Sequence, residues 1–181
     1  MVDVVGLPAA RAAGAPILET ASALSEESLG RLLGALASRP GPLPKYLYPS
    51  AGTLYPVQAY VILRQRLGGL EPGSYYHDPD AHALALLPSG VPAAPDGAAT
   101  AVSLVLVAQM AAIEPIYRDE AEAFCLLEAG YISEALRQVA PGLRLRDAGD
   151  PAELDPALVA SLRLDPTHRL LACWAVEAAG Q

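Results

Sequence analysis

Runs of β-branched and aromatic residues predict the strands of this chain. VQAYVIL at 57–63 has the length and composition of a buried strand, and Ala101–Gln109 predicts another central one. Between them, SYYHDPDAHALALL holds two short strand-like runs on either side of the turn-forming residues His77 to Asp80. This segment therefore predicts a hairpin. A final strand is predicted at Arg169–Val176.

A first helix is predicted after residue 24. Ser25 is placed to cap it, acidic residues occupy the first turn, and Pro40 and Gly41 end it. Leucines at helical spacing give it one apolar face: Leu29, Leu32, Leu33 and Leu36.

A longer helix is predicted from Arg118 to about Ala140. Its apolar residues recur at i, i+3 and i+4 spacings, and Gly130 lies inside it at a cost of about 1 kcal/mol relative to alanine. Glycine in mid-helix is usual where another backbone packs closely, so we expect this helix to be central or at a subunit contact. Asp155-Pro156 predicts the start of a further short helix.

The order of these elements indicates an α+β fold rather than a βαβ array. A length of 181 residues with 52% hydrophobic residues is enough for one well-buried core, so we expect one domain over residues 1–181. Residues 1–24 are rich in Ala, Gly and Pro, and we expect an arm or a linker there rather than a packed element. The stretch from Pro88 to Gly97 predicts a surface loop.

Charge and composition exclude several classes of function. The formal net charge is −8 and the basic residues are scattered, so nucleic acid is not an expected partner. The longest apolar run is too short to cross a bilayer, and no leader-like segment opens the chain, so we expect no membrane association and a cytoplasmic location.

Cysteines and histidines give no pattern for a metal site. Cys125 and Cys173 lie in apolar runs without a CxxC partner, which is typical of core residues in a reducing compartment. The three histidines are separated and lack partners at ligand spacing, so no metal is expected.

The segment YPSAGTLYPVQAYV is the most informative part of the chain. Pro49 and Pro56 stiffen its ends, while the small residues between them would let a flat ligand approach the backbone and its N–H donors. From the residues alone, an ordinary Pro/Gly turn before a strand is the alternative interpretation.

Four segments, in order and spacing, resemble a known family. KYLYPSAGTLYPVQAYV, GSYYHDPDAHALALL, IEPIY and FCLLEAGYI are similar to the nitroreductase-like, FMN-dependent thiazoline and oxazoline oxidase domains of nonribosomal peptide synthetases. The resemblance covers about residues 45–131. It implies a nitroreductase-like fold, with a central, mostly antiparallel sheet, flanking helices and a long central helix.

The resemblance also implies a set of FMN-binding residues. The Pro-Ser pair and the small residues after it would lie along the flavin, with Gln58 near its edge and Lys45 beside the ribityl phosphate. LRLRDAGD matches the loop that offers a backbone N–H to flavin N5, although an acidic turn with glycine needs no function. The first and last of these segments contribute Pro49, Ser50, Ala51, Gly52, Thr53, Asp147, Ala148 and Gly149.

Tyr117 is the candidate for the base that removes a proton from the substrate carbon. It occupies the place where related azoline dehydrogenases carry a Lys-Tyr pair, but Ile116 stands here instead of the lysine. A tyrosine at the edge of a helix is the structural alternative. Glu128, flanked by apolar residues, is expected to meet an arginine or a backbone donor across a dimer.

The implied partners are a carrier-protein-bound peptidyl or aminoacyl substrate and a second subunit, either a copy of this chain or a related protein. The family's N-terminal Arg-x-Ser-x-Arg, which binds the FMN phosphate, is represented here only by Arg11. Two alternatives stay open: a cofactor-free pseudoenzyme that partners an active oxidase, and an NAD(P)H-dependent nitroreductase.

Overall fold

A computed structural model describes most of the chain. The residues described are 4–7, 24–39, 41, 45–88, 101–139, 142–150, 154 and 156–179.

Seven strands form one sheet in the spatial order β1-β4-β3-β2-β5-β7-β6, and every neighbouring pair is antiparallel. The strands are β1 (Val4–Gly6), β2 (Val57–Leu63), β3 (Gly73–Asp78), β4 (Ala83–Leu86), β5 (Val102–Gln109), β6 (Leu143–Asp147) and β7 (His168–Ala178). The predicted hairpin is confirmed as β3 and β4, and the predicted central strands are confirmed as β2 and β5.

Helices cover the sheet. They are α1 (Glu26–Leu33), α2 (Met110–Tyr117), α3 (Ala121–Val139) and α4 (Pro156–Ser161), and single 3₁₀ turns lie at Gly34–Leu36, Ala51–Thr53 and Arg118–Glu120. The expected cap of α1 is confirmed, because the Ser25 side chain accepts a hydrogen bond from the Ser28 N–H at 3.1 Å.

The core lies on both faces of the two central strands. Alternate residues of β2, from Val57 to Leu63, contact the apolar faces of α1 and α3, while Tyr60 and Ile62 belong to a second cluster with Leu158 of α4. Seven of the eight residues of β5 are buried, which fits a strand covered on both faces. The predicted core position of Cys125 is confirmed.

The packed face of α3 follows helical spacing, with one polar exception. Its buried residues are Ala121, Cys125, Glu128, Ala129, Ile132 and Leu136, and they form one stripe toward the sheet. Glu128 is the carboxylate within this stripe, and its position defines the site described below.

Three expectations from the sequence need correction. Val4–Gly6 is not part of an unpacked arm, since it forms the edge strand β1 paired with β4. Met110–Tyr117 forms the helix α2, so IEPIY lies within a helix rather than before one. Leu143–Asp147, expected as part of a loop, is the edge strand β6. Residues 8–23 and 89–100 lie outside the described residues.

No helix in the described part of the chain is both long enough and apolar enough to span a membrane.

Candidate functional site

The loop that leads into β2 has an unusual backbone. Ser50 is extended, the 3₁₀ turn Ala51–Thr53 follows, and Gly52, Thr53 and Tyr55 all have positive φ values, of 60°, 57° and 49°. Only glycine adopts this left-handed region without a steric cost, so Thr53 and Tyr55 are held there by their surroundings. Strained, over-determined loops of this kind are frequent at binding sites.

A buried hydrogen-bond network holds the loop. The Ser50 hydroxyl oxygen accepts from the Tyr55 N–H at 2.9 Å, and the same hydroxyl interacts with the carboxyl of Glu128 and lowers its pKa. The Val57 N–H donates to Glu128 Oε1 at 3.2 Å. One helix side chain thus connects the beginning of the loop to the first residue of β2.

Burial changes the acidity of Glu128. Only 2% of the residue is exposed, and this loss of solvation raises the pKa of its carboxyl to about 7, against the opposing hydrogen bonds from Ser50 and Val57. The expectation that Glu128 meets a backbone donor is confirmed, but the donor belongs to its own chain. The contact joins segments far apart in sequence, and no local pattern signals it.

Tyr117 lies against the outer part of the loop. A Cβ atom built on Gly52 would come within 2.9 Å of the Tyr117 hydroxyl oxygen, and the Tyr117 ring packs on Phe124 with centroids 4.7 Å apart. Tyr117 ends α2, and the next residue, Arg118, has a φ of 48° that turns the chain toward α3. The helix corner therefore places this phenol beside Gly52.

The loop surface offers unused donors. Pro49, Gly52 and Thr53 are exposed. Within the described residues, the N–H groups of Ala51 and Gly52 have no acceptor, whereas the Thr53 hydroxyl donates to the Gly52 carbonyl at 2.6 Å. Two backbone donors beside small exposed residues suit a flat ligand with acceptor atoms at its edge.

A cavity of about 90 Å³ lies behind the loop, next to β2 and β3. Three tyrosines that pack on one another line it, with ring centroids 4.1 Å apart for Tyr46 and Tyr55 and 5.5 Å apart for Tyr46 and Tyr48. His77 also lines it and is buried, which lowers the pKa of its imidazole to about 4.

Gln58 lies at the same end of the sheet as the loop. Its amide nitrogen donates to Gln109 Oε1 at 3.3 Å, and its carbonyl oxygen accepts from the Tyr60 hydroxyl at 3.0 Å. These contacts fix the side chain against the ends of β2 and β5. The structure thus brings Tyr117 to the loop at Gly52, whereas the Gln58 side chain is bonded to Gln109 and Tyr60.

Three other predicted segments are placed differently. Lys45 is exposed at the beginning of the loop, where its carbonyl accepts from the Arg39 N–H. Arg11 lies outside the described residues. Asp147 ends β6, and the β5 and β7 strands lie between β6 and β2, so β2 and β6 are about 14 Å apart at ordinary strand spacing.

The N–H groups predicted to face a flavin N5 are already bonded within the chain. The Ala148 N–H donates to the Cys173 carbonyl at 3.0 Å, and the Gly149 N–H donates to Asp147 Oδ1 at 3.0 Å. His77 and His82, which the sequence suggested were isolated, are in contact, with ring nitrogens 3.3 Å apart. In the described part of the chain, no group of three or more His, Cys, Asp or Glu residues is arranged to hold a metal.

This architecture is the nitroreductase-like fold, as the sequence resemblance implied. A nitroreductase-like protein from Ralstonia eutropha superposes with a TM-score of 0.68 over 98% of this chain and 90% of its own, at 21% identity. One from Anabaena variabilis gives 0.68 over 83% of this chain and 34% of its own, at 23% identity. The E. coli microcin synthetase McbBCD complex, with truncated pro-MccB17 bound, gives 0.69 over 94% of this chain and 72% of that one, at 19% identity.

The chain is similar in sequence to a small part of two much longer proteins. The chain is 35% identical over 141 residues to the indigoidine synthase of Streptomyces lavendulae, and 34% identical over 142 residues to that of Dickeya dadantii. These matches cover 75% and 76% of this chain, but only 11% and 9% of the synthases. No protein-family model matches the chain.

Proposed function

We propose that the chain is an FMN-binding oxidase unit that acts on an azoline or related aminoacyl group held by a carrier protein. The fold and the similarity to a small part of two large synthases support this assignment. Because those relatives are named for indigoidine rather than for an azole, the proposed substrate class includes aminoacyl groups as well as thiazoline and oxazoline rings.

The loop from Pro49 to Thr53 is the observation on which this function rests. Its small exposed residues, together with the N–H groups of Ala51 and Gly52, for which the described part of the chain offers no acceptor, fit the flat ring and acceptor edge of a flavin. Gln58 would meet the edge of the ring, and the exposed Lys45 would approach the phosphate. These residues would hold the cofactor without moving the backbone.

FMN, when bound, would supply the acceptor for the hydride that leaves the substrate carbon, with dioxygen as the final oxidant. The protein must then take up the proton released from the neighbouring atom. Tyr117 is placed for this role, in which its phenolate would accept the proton and become the neutral phenol, because its side-chain oxygen lies beside Gly52 on the exposed side of the loop. Its packing on Phe124 would keep the phenol oriented toward the substrate.

A subunit contact would complete the site. The Pro49–Thr53 loop and the Asp147–Gly149 turn are separated by two intervening strands of one sheet. Both segments could touch one flavin ring if the turn came from a second subunit. We therefore propose a homodimer, or a dimer with a related chain, with exposed apolar residues of α2 and α3 in the contact: Ile116, Leu126, Leu127 and Tyr131.

Reconstitution with FMN tests this function directly. The purified chain is incubated with FMN, freed of excess and examined by visible absorbance, next to a Ser50→Ala variant and an exposed-site control, Glu134→Gln. Retained flavin in wild type and control, with weaker retention in Ser50→Ala, supports the proposed site. A colourless wild-type protein that is folded and dimeric excludes it.

A second function is favoured by one observation at β6. The Ala148 and Gly149 N–H groups are bonded within the chain, so neither is free for flavin N5. A cofactor-free partner of an active oxidase would need no such donor. In that case the colourless chain would bind a flavin-containing homologue and raise its activity, which mixing the two purified proteins would show.

A further inference from the structure

Glu128 is the buried carboxylate among the residues that the structure describes, and its polar contacts, a hydrogen bond from the Val57 N–H and an interaction with Ser50, go to the candidate site. It lies on the packed stripe of α3, where the other residues are apolar or small. Burying a carboxyl group in such a stripe costs free energy unless polar contacts compensate for the lost solvation, so packing alone does not explain a glutamate at this position.

The contacts of Glu128 fix the path of the backbone at two points. Ser50 accepts from the Tyr55 N–H and interacts with the Glu128 carboxyl, so this carboxyl orients the hydroxyl that holds Tyr55 in the left-handed region. Val57, the first residue of β2, is held by the same carboxyl. Without Glu128, the stretch from Ser50 to Val57 would lose the connection between its ends.

We propose that Glu128 is a positioning residue whose protonation controls the loop: the neutral acid keeps Ser50–Val57 in its strained path, and ionisation opens it. The consequence for ligand binding rests on the proposed function, because the ligand of this loop is taken to be FMN. The effect on the loop itself does not depend on any ligand.

The direction of this control follows from proton linkage. Burial raises the pKa of Glu128 from 4.5 to about 7 in the closed loop, and water would restore an ordinary value in the open one. The closed loop therefore binds the proton more tightly, so its population relative to the open loop falls by up to about tenfold per pH unit as pH rises between these values. Above pH 7 the ratio is constant.

The other titratable groups that face Glu128 do not change charge in this range. They are the phenol of Tyr48 from the loop and the thiol of Cys125 from the same helix. Burial raises the pKa of Tyr48 strongly and that of Cys125 to about 11, so both are neutral below pH 8. Glu128 is then the group that couples pH to the loop.

Amide exchange in the FMN-free full-length chain tests this role. Protection factors of the Tyr55 and Val57 N–H groups are measured by NMR between pH 5 and 8 in wild type, Glu128→Gln, Glu128→Ala and the exposed control Glu134→Gln. Glutamine keeps a carbonyl acceptor for Val57 and adds an amide donor for Ser50, so it imitates the neutral acid. The FMN dissociation constant is measured over the same pH range.

Protection in wild type and in Glu134→Gln is expected to fall as pH rises from 5 to 7, while Glu128→Gln stays protected at every pH. Glu128→Ala should be at least about tenfold less protected than Glu128→Gln at every pH, since the acceptor for the Val57 N–H and the contact with Ser50 are removed. Equal, pH-independent protection in wild type and Glu128→Gln would overturn the control by protonation. Equal protection in folded Glu128→Ala and Glu128→Gln would overturn the positioning role.

The FMN titration separates this inference from the proposed function. If the loop responds to Glu128 but wild type binds no FMN, then the proposed ligand is wrong and the positioning role stands. If wild type binds FMN with an affinity that neither pH nor Glu128→Gln changes, the ligand stands and the control by Glu128 is overturned.

Discussion

The hydroxyl oxygen of Tyr117 lies 2.9 Å from the point that a Cβ atom on Gly52 would occupy. Gly52 also has a φ of 60°, which disfavours any L side chain. Glycine is therefore required at position 52 for two reasons. Its backbone has a positive φ, and the Tyr117 hydroxyl at the corner between α2 and α3 leaves no space for a Cβ atom.

Gly52→Ala should destabilise the protein by roughly 2 kcal/mol, since it adds left-handed strain and a steric clash. Combining it with Tyr117→Phe removes the atom at 2.9 Å and leaves a ring carbon at 3.7 Å. The double variant should then recover about half of the loss. Urea unfolding of the four proteins of this cycle gives the coupling, and a coupling of zero would show that the two residues are not in contact.

Tyr117→Phe alone should separate catalysis from binding. The ring keeps its packing on Phe124, and the loop keeps its backbone, so FMN affinity should change little. Removal of the oxygen that, as a phenolate, would take up the proton should lower kcat by about 100-fold or more. The measurement is turnover with a carrier-bound azoline at saturating FMN. Unchanged kcat would assign Tyr117 a packing role only.

The central strands, the hairpin and the long helix follow from sequence because their periodicity is clear, and so does the Ser25 cap. Three elements do not, and the first is β1, which has only three residues. Pro115 lies inside α2, where proline removes a helix hydrogen bond, so the pattern hides that helix. In β6, Arg144 and Arg146 alternate with leucines on an exposed edge, a pattern that also fits a loop.

The residues of the candidate site also fall into two groups, those that the sequence reveals and those that it does not. The small residues from Ser50 to Thr53 are visible in one short segment, which is why the loop could be singled out. The bond from Ser50 to Glu128, and the contact of Tyr117 with Gly52, join distant segments. Such contacts depend on how α2 and α3 cross the sheet, which local patterns do not specify.

Acid should reveal two buried groups that act in opposite directions. The pKa of His77 is lowered to about 4 by burial and by His82. Between pH 6.5 and 4 the unfolded chain therefore binds more protons than the folded chain, and the free energy of unfolding decreases as the pH is lowered. The raised pKa of Glu128 has the opposite effect: the folded chain binds more protons between pH 4.5 and 7, and stability rises as pH falls through that range.

In wild type these two effects partly cancel between pH 6.5 and 4.5. Glu128→Gln should therefore lose stability more steeply on acidification, by up to roughly 3 kcal/mol over the full range from the His77 shift. His77→Gln should instead gain stability relative to its value at pH 7. Urea unfolding at pH 7.5, 6 and 5 measures both, and parallel curves for all three proteins would contradict the assigned shifts.

Gly130 gives a test of the proposed subunit contact. It lies on the exposed side of α3 beside Leu127 and Tyr131, which are 59% and 51% exposed, and no heavy atom lies within 4 Å of a Cβ placed on it. Nothing in the described part of its own chain needs a glycine there, although glycine costs a helix about 1 kcal/mol relative to alanine. A close backbone approach from a second subunit would explain it.

Gly130→Ala should then stabilise the separated monomer by about 0.5–1 kcal/mol through helix propensity, while weakening the dimer by steric contact. Leu127→Lys should dissociate the dimer outright, because it places a charge in an apolar interface. Sedimentation equilibrium gives the association constants, with Glu27→Gln on α1 as an exposed control outside this face. If the wild-type protein is monomeric, and Gly130→Ala only stabilises it, then the proposed dimer and the flavin site shared between its subunits are both contradicted.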